Sequence, residues 1–199
     1  MLELAAGRAS RSVRATLLIL LAGWVAVCGG CGGDDDDKSG PACPSAHPED
    51  FLPRNVQGWD ELAGARETAT TIPELQATVV DGGYQAYELY GFQEFARAVY
   101  EGSVQGSPTS LDVQITELPS PAQALAMYND TQYGIKPATS EPVTPPVGDA
   151  SRLARSIGTL TLDFVECSYW IKLYTNDTSN DGLSVLQAFA ASIEQEMSQ

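Results

Sequence analysis

The chain has 199 residues, of which 43% are hydrophobic, and its formal net charge at pH 7 is −15. This acidity argues against a nucleic-acid-binding protein, because that class presents basic surfaces to phosphates. It also excludes a polybasic patch that holds anionic lipid headgroups. The sequence contains a single histidine, His47, so it supplies neither a multi-histidine metal site nor a histidine-based catalytic triad.

The first thirty residues are typical of a bacterial export leader. Arg8, Arg11 and Arg14 form a positive region, and a thirteen-residue apolar run follows at positions 15–27. A permanent membrane helix needs about 20 apolar residues, so this run predicts a cleaved signal segment. We interpret residues 1–30 as a lipoprotein signal peptide and expect the protein in the cell envelope, facing the periplasm or the exterior.

Two cysteines that could carry a lipid follow the apolar run. Gly29 and Gly30 precede Cys31 and have the small size that a lipobox requires, whereas Val27 precedes Cys28. We therefore predict acylation of Cys31, with Cys28 as the alternative, and attachment to the membrane through the acyl chains. An ordinary signal peptide is the remaining interpretation, although no Ala-x-Ala site closes the apolar run.

The next segment, residues 31–50, predicts a flexible acidic tether. It is rich in Gly, Asp, Ser and Pro and has little apolar surface that could offset the entropy of ordering. Once Cys31 is acylated, Cys43 and Cys167 remain in the folded part, where the oxidising envelope permits a bond between them. We predict that disulfide, and two buried free thiols are the alternative.

Residues 51–199 predict a single globular domain, which at this length buries about 70% of its unfolded surface. Apolar residues recur at three- to four-residue spacing behind Pro73 and predict a helix that begins there. Gly82-Gly83 should loosen this helix and Gly91 should end it.

The middle of the domain predicts two strands and a second helix. Residues 94–101 predict a strand buried on both faces, and residues 111–116 alternate apolar with polar, which predicts one wet face. Ser120-Pro121 should then cap a helix that ends near Asn129. The proline-rich stretch 137–147 predicts a long loop.

The last third predicts three strands and a closing helix. The strands are expected at 152–157, 159–166 and 169–174. An apolar stripe from Leu183 to Met197 predicts the helix, with Asn180 or Asp181 as its cap. Helices beside hairpin-linked strands predict an α+β fold, with an antiparallel sheet of about five strands and helices packed on one face.

One group of side chains predicts a binding groove at the end of the first helix. Its members are aromatic residues and adjacent glycines: Gly82, Gly83, Tyr84, Tyr87, Tyr90 and Phe92. Tyrosine combines a large contact area with a polar tip, and glycine lets a partner approach closely. Core packing of Tyr87 and Tyr90 on the apolar stripe is the alternative.

Other polar motifs predict no catalytic residue, no metal and no cofactor. Residues 177–182 have the spacing of a calcium loop, but position twelve is Ala188, which cannot supply the carboxylate, so a helix-capping turn is favoured. Asp81 and Glu88 could be imagined as an acid–base pair, but no spacing rule supports them. Neither a glycine-rich phosphate loop nor a nucleophile elbow occurs.

A series of short motifs resembles an uncharacterised bacterial envelope family of unknown function. The motifs are Phe51-Leu52-Pro53, Gly58-Trp59, Val80-Asp81-Gly82-Gly83, Tyr87, Tyr90-Gly91-Phe92 and Ser120-Pro121 with Ala122 and Ala124. This chain has Asp81 where the family tends to Asn, and Gln85 where it tends to Glu. The resemblance covers most of Phe51 to Gln199, implies one domain and supplies no activity.

These features lead to a lipid-anchored, noncatalytic envelope protein whose domain binds a protein or a small molecule. A structural or assembly factor of an envelope complex is the alternative, and a carboxylate-dependent envelope hydrolase is a third. An exposed apolar patch between Tyr84 and Phe92 would favour the binding module, whereas clustered carboxylates in a deep cleft would favour the hydrolase.

Overall fold

The computed structural model describes residues 43–54, 56–78 and 83–199, which belong to one compact unit. The predicted signal peptide, Cys28, Cys31 and most of the predicted tether lie outside the described residues. So do Asp81 and Gly82. The predictions that involve these positions stay predictions.

A single antiparallel sheet forms the centre of the described part of the chain. It has eight strands: β1 Trp59–Glu61, β2 Glu67–Ala69, β3 Glu94–Val104, β4 Ser107–Glu117, β5 Glu141–Pro142, β6 Ala150–Ser156, β7 Thr159–Glu166 and β8 Tyr169–Thr175. The strand order is β1-β3-β4-β8-β7-β6-β5, and β2 also pairs with β3. The predicted α+β class with an antiparallel sheet is confirmed.

The predicted count of about five strands is wrong. The extra strands β1, β2 and β5 have two or three residues each. Such strands are too short to show a periodic pattern of apolar residues, and their pairing is set by the longer neighbours β3 and β6. The five long strands all occur where the alternation predicted them.

Four α-helices and one 3-10 helix complete the described residues. They are a 3-10 helix at Pro48–Phe51, α1 Ile72–Thr78, α2 Tyr84–Tyr90, α3 Pro121–Tyr128 and α4 Asn180–Met197. The single first helix that we predicted is therefore two helices, α1 and α2. Gly91 ends α2 with a φ of 79°, a left-handed conformation that glycine adopts without strain.

The helix caps agree with the sequence at one helix and differ at another. The Ser120 hydroxyl accepts a hydrogen bond from the Gln123 amide at 3.3 Å, as predicted for α3. At α4 the cap is Ser179, whose hydroxyl accepts from the Gly182 amide at 3.2 Å. The predicted cap at Asn180 or Asp181 is wrong, since the observed cap lies one residue before Asn180 and two residues before Asp181.

The helices lie on both faces of the sheet, so the prediction of one helical face is wrong. On one face, which we call the covered face, Leu162, Ile171 and Leu173 pack with Phe189 and Ile193 of α4. On the second face, α1, α2 and α3 cover a row of apolar strand residues, namely Phe95, Val165 and Trp170. Because β3, β7 and β8 carry apolar side chains in both alternating sets, both faces need helices there.

The amino-terminal segment is tied to the domain. Cys43 and Cys167 form the predicted disulfide, with their Cα atoms 5.6 Å apart. The Tyr169 hydroxyl donates to the Ala46 carbonyl at 2.8 Å, and Ala46 also packs against the core. Residues 43–50 fall within the predicted tether, and the disulfide and these contacts hold them against the domain although their composition is that of a linker.

Candidate functional site

The second face of the sheet is open beyond the apolar row under α1 to α3. Six polar residues of neighbouring strands share this open part, and we call them the polar face: Arg97, Asp112, Gln114, Thr161, Lys172 and Tyr174. The register places Gln114 opposite both Arg97 and Lys172, and Tyr174 opposite both Asp112 and Thr161. Side chains directly opposite in antiparallel strands lie on the same face, so these six form one continuous surface.

Asp112 is the best-connected member of the polar face. Its Oδ2 accepts from Arg97 Nε at 2.8 Å, from Arg97 Nη2 at 2.5 Å and from the Tyr174 hydroxyl at 2.7 Å. Arg97 Nη1 also donates to Glu67 Oε2 at 3.0 Å. These bonds fix the carboxylate and the guanidinium in one geometry.

The titration of the neighbours reflects this arrangement. The hydrogen bond to Asp112 raises the pKa of Arg97 above its ordinary value, although partial burial works in the opposite direction. Burial raises the pKa of Tyr174, and its hydrogen bond to Asp112 raises it further. At neutral pH the arginine is therefore charged and the tyrosine is protonated and donates its hydrogen.

The other oxygen of the same carboxylate has no partner. Asp112 Oδ1 is buried and accepts no hydrogen bond from any described residue, while the Asp112 side chain is only 7% exposed. Leaving a buried acceptor unpaired costs about 1 to 3 kcal/mol. Asp112 lines a cavity of about 320 Å³, but Oδ1 itself is enclosed by protein atoms.

A second cavity of about 320 Å³ lies on the same face and includes Lys172, Thr161 and Trp170 in its lining. Lys172 Nζ lies 5.6 Å from the centroid of the Tyr174 ring, so these two residues connect the two cavities. Within the described residues no carboxylate oxygen approaches Lys172 Nζ within 4.0 Å. The six residues of the polar face therefore include two cations and one carboxylate, with the carboxylates of Glu67 and Asp163 beside them.

A buried ion pair lies beside the second cavity, whose lining includes Asp163. Arg152 donates from Nε to Asp163 Oδ1 at 2.9 Å and from Nη2 to Asp163 Oδ2 at 2.5 Å, and its guanidinium lies 3.9 Å from the Tyr128 ring centroid. Burial raises the pKa of Asp163, while the bonds from Arg152 oppose that rise. Both charged groups have hydrogen-bond partners within the protein, so this pair has a structural role.

The largest of the described cavities, about 590 Å³, lies beside the disulfide and the end of α4. It includes Glu166, Glu194 and Glu196 in its lining. Burial raises the pKa of Glu166, helped by repulsion from Asp149 and Glu194. Glu194 Oε1 accepts from the Gly148 amide at 2.7 Å, so one of these acids has a structural partner already.

The described residues contain neither a cluster of metal ligands nor a membrane-spanning helix. No group of three or more His, Cys, Asp or Glu side chains there is arranged to hold a metal ion. None of the described helices combines the length and apolar character needed to cross a membrane.

The structure does not bring the residues of the predicted aromatic groove together in one groove. Tyr87 is 5% exposed and packs edge to face with Phe92, at 6.2 Å between ring centroids, and close to Trp170 at 6.1 Å. Burial raises the pKa of Tyr87 to about 12. Tyr90 instead donates its hydroxyl to Asp130 Oδ2 at 2.7 Å. Tyr87 thus belongs to the core, as the alternative interpretation had it, and Tyr90 and Phe92 are partly buried and pack against that core.

The remaining members of that predicted groove are scattered. Tyr84 is half-buried, and a side chain built at Gly83 would meet open space. None of the cavities described above has a member of the predicted groove in its described lining. Glu88, the described half of the imagined acid–base pair, is exposed. The calcium-like segment is a turn, in which Asp177 Oδ1 accepts from the Ser179 amide at 2.8 Å.

The sequence analysis missed the residues that converge at the candidate site. The alternation in β4 separated Asp112 from the apolar set, and that was the available signal. The predicted wet face is wrong at Asp112 and Thr116, which are 5% and 1% exposed. Arg97 and Tyr174 are 15 and 62 positions from Asp112, and only the strand register brings them together.

Comparison with known proteins gives one structural similarity to report. No family profile and no curated protein sequence matches this chain. The extracellular domain of PknH from Mycobacterium tuberculosis is similar to it at 10% sequence identity and a TM-score of 0.46, over 78% of this chain and 100% of that chain.

Proposed function

We propose that the protein is a noncatalytic binding module of the cell envelope and that its ligand occupies the polar face. The observation that carries this proposal is the unpartnered Oδ1 of Asp112 beside a cavity. Native proteins leave few buried polar atoms without a partner, and those few mark functional positions or bound groups. The polar face is also concave, preorganised and free of helices, which are the usual properties of a small-molecule site.

The rigidity of the carboxylate supports binding over catalysis. In the described lining of this cavity Asp112 is the one carboxylate, and three donors hold its Oδ2. A general acid or base exchanges its proton with the substrate and works best with a pKa near the working pH. A carboxylate fixed against an arginine and a tyrosine instead suits recognition of a donor group.

The leader and the tether support an anchored position. Eleven residues, 32–42, lie between the proposed acylated cysteine, Cys31, and the disulfide at Cys43. The composition predicts a flexible tether, and a flexible chain of that length spans about 20 Å on average. We therefore place the domain close to the membrane surface, held by acyl chains on Cys31 or, alternatively, on Cys28.

A binding screen on the full chain, exported by a bacterial host and purified in detergent, tests the proposal. The panel contains neutral sugars, amino acids, nucleotides and short peptides, and the readout is the melting temperature. At least one class should raise the melting temperature of the wild type and have a smaller effect on Asp112→Asn. Asp60→Asn changes an exposed aspartate on β1 and is the matched control, with the wild-type response.

Two outcomes of the screen would contradict the proposal. One is a panel in which no class stabilises the wild type. The other is equal stabilisation of the wild type and Asp112→Asn. Mass spectrometry of the recovered ligand completes the test, because a chemically altered product would show that the protein is an enzyme.

Labelling with a clickable fatty acid tests the anchor. We expect the label on the wild type and on Cys28→Ala, and its loss on Cys31→Ala. Loss on Cys28→Ala alone would assign the alternative cysteine, and an unlabelled wild type would refute the lipid anchor.

A further inference from the structure

We propose that the Cys43–Cys167 disulfide is a redox-controlled latch, which a dithiol reductant opens, and that its reduction frees residues 43–46 from the domain. We call residues 43–46 the strap. Both cysteines line the cavity of about 590 Å³, and every residue of the strap belongs to its lining. The latch is separate from the polar face, so it operates whatever ligand that face binds.

The disulfide is accessible from its strap end. Cys43 is exposed, whereas Cys167 is half-buried in the turn between β7 and β8. Exposed disulfides are reduced more readily than enclosed ones, because the attacking thiolate has to reach a sulfur atom. Cys43 is therefore the point of attack in the folded protein, and the cavity beside it gives a reductant room to approach.

The bond holds a segment that has few other contacts. The Tyr169 hydroxyl lies 2.8 Å from the Ala46 carbonyl and 3.3 Å from the Pro44 carbonyl, and its single hydrogen serves one acceptor at a time. The entropy of ordering four residues exceeds the contribution of one neutral hydrogen bond. Pro48 and Phe51, which follow the strap, are buried. Reduction should therefore free the strap while the chain from Pro48 onward stays in place.

The reaction is a thiol–disulfide exchange. One thiol of the reductant loses its proton and attacks the sulfur of Cys43, the S–S bond breaks, and Cys167 leaves as a thiolate that takes up a proton. The second thiol of the reductant then loses its proton, attacks the mixed disulfide and releases Cys43, which is protonated in turn. The reductant is oxidised to a disulfide and the protein is reduced to two thiols. The reverse reaction closes the latch.

Carboxylates surround the bond. Glu166, Glu194 and Glu196 line the cavity, and Asp149 Oδ2 accepts from the Cys167 amide at 2.9 Å. Burial, together with the charges of Asp149 and Glu194, raises the pKa of Glu166, which reflects how closely these acids lie. The 3-10 helix after the strap adds two exposed acids.

The described lining of the cavity offers no cation to offset these charges, because it contains no Lys, Arg or His side chain. Beside the strap, His47 is paired with Glu94, and Arg66 is paired with Glu61. A thiolate that attacks Cys43 is an anion and meets this negative surface, so each further negative charge on the reductant increases the repulsion. The latch therefore favours a reductant with positive charge near its thiol and disfavours an anionic thiol.

Reduction kinetics of the full chain in detergent test this selectivity. The probes are cysteamine, 2-mercaptoethanol and glutathione, which are cationic, neutral and anionic, and each rate is divided by its rate on a small uncharged disulfide. Cysteamine should exceed glutathione about fivefold or more at low salt, and the ratio should fall at about 0.5 M salt. Equal ratios for the three thiols would overturn the charge selectivity.

Charge-removing variants assign the effect to the cavity. Glu166→Gln and Glu196→Gln should each raise the relative rate of glutathione, because each removes a carboxylate from the lining. Glu88→Gln changes an exposed glutamate of α2 and is the matched control, with the wild-type rate. A glutathione rate that is unchanged in both cavity variants would contradict the assignment.

Reduction by dithiothreitol in low concentrations of urea tests whether the folded protein reacts. The rate should stay nearly constant below the unfolding transition, because the bond is reached without unfolding. A rate that rises with urea in proportion to the unfolded fraction would overturn the latch, since the bond would then be reduced in the unfolded protein alone.

Nitrogen-15 NMR relaxation of the full chain in detergent measures the release of the strap. The order parameters of Ser45 and Ala46 should be about 0.85 in the oxidised protein and below about 0.6 after dithiothreitol. Cys43→Ser should give the low values without a reductant. Values that stay high in the reduced protein would overturn the latch. Loss of order at Val113 in the core would do so too, because the bond would then hold the whole fold.

Discussion

The two faces of this sheet are built from alternate residues of the same strands, yet they differ in what lies above them. On β4 the covered face carries Leu111, Val113 and Ile115, all fully buried. The intervening positions carry Asp112 and Gln114, which belong to the polar face. One strand thus supplies stability on one side and recognition chemistry on the other.

The difference between the two faces predicts where substitutions can be made without unfolding the protein. The centre of the covered face is sealed by α4, and the disulfide lies at its edge. The second face is apolar only under α1 to α3, and beyond that row it is polar and open. We expect substitutions on the covered face to act on stability and substitutions on the polar face to act on binding.

Removal of the disulfide should give the largest effect on the covered side. Cys43 and Cys167 are 124 positions apart, and loop-closure entropy at that length predicts a loss of about 4 to 5 kcal/mol in the free energy of unfolding. The double variant Cys43→Ala, Cys167→Ala, studied by urea unfolding, measures it. A loss below about 1 kcal/mol would show that the other contacts of residues 43–50 hold this segment without the bond.

Truncation of Phe189 tests the covered face through packing. This ring is fully buried and lies 4.9 Å from the Tyr100 ring and 5.6 Å from the Trp59 ring, centroid to centroid. Phe189→Ala should cost about 3 to 5 kcal/mol through the cavity it leaves. Ile157→Ala removes apolar atoms from a fully exposed side chain and is the control, with a change within about 0.5 kcal/mol. Similar losses in the free energy of unfolding for both variants would show that packing on the covered face does not determine stability.

The Arg152–Asp163 pair tests how the second face is stabilised where a buried ion pair takes the place of apolar packing. Their side chains are 5% and 4% exposed. Asp163→Leu leaves Arg152 buried without a counter-charge and should cost about 3 kcal/mol. Arg152→Met combined with Asp163→Leu should restore most of the stability, because no buried charge is left. Unfolding of the single and double variants gives the coupling, and additive losses would contradict this explanation.

The sequence predicted features that depend on neighbouring residues. It did not predict which distant residues come together at the candidate site. The alternation in β4 and the Ser120 cap of α3 were visible because both depend on residues close together in the chain. The site at Asp112 was not, since it needs Arg97 and Tyr174 from two other strands, and register follows from the packing of the whole sheet. The aromatic group around Tyr87 attracted attention by composition, but its burial depends on Trp170, far along the chain.

The smallest expected effect lies at the ordered amino-terminal segment and concerns pH. His47 Nδ1 donates a hydrogen bond to Glu94 Oε2 at 2.8 Å, and this bond, together with the charge of Glu94, raises the pKa of His47 above 6.5. Because the folded pKa is the higher one, this pair stabilises the fold fully below about pH 6.5, and the contribution disappears as the pH rises through the folded pKa. The urea midpoint of the wild type should therefore fall slightly between about pH 6 and about pH 8.

His47→Gln removes the titrating ring and is the variant that tests this assignment. Its urea midpoint should lose the pH-dependent part that the wild type shows over that interval, while Glu94→Gln should have the same effect from the other side of the pair. An unchanged pH profile in both variants would assign the dependence to other groups. It would also mean that the disulfide and the Tyr169 contact hold the segment by themselves. The amino-terminal segment would then be stabilised by covalent and apolar contacts, as the covered face is.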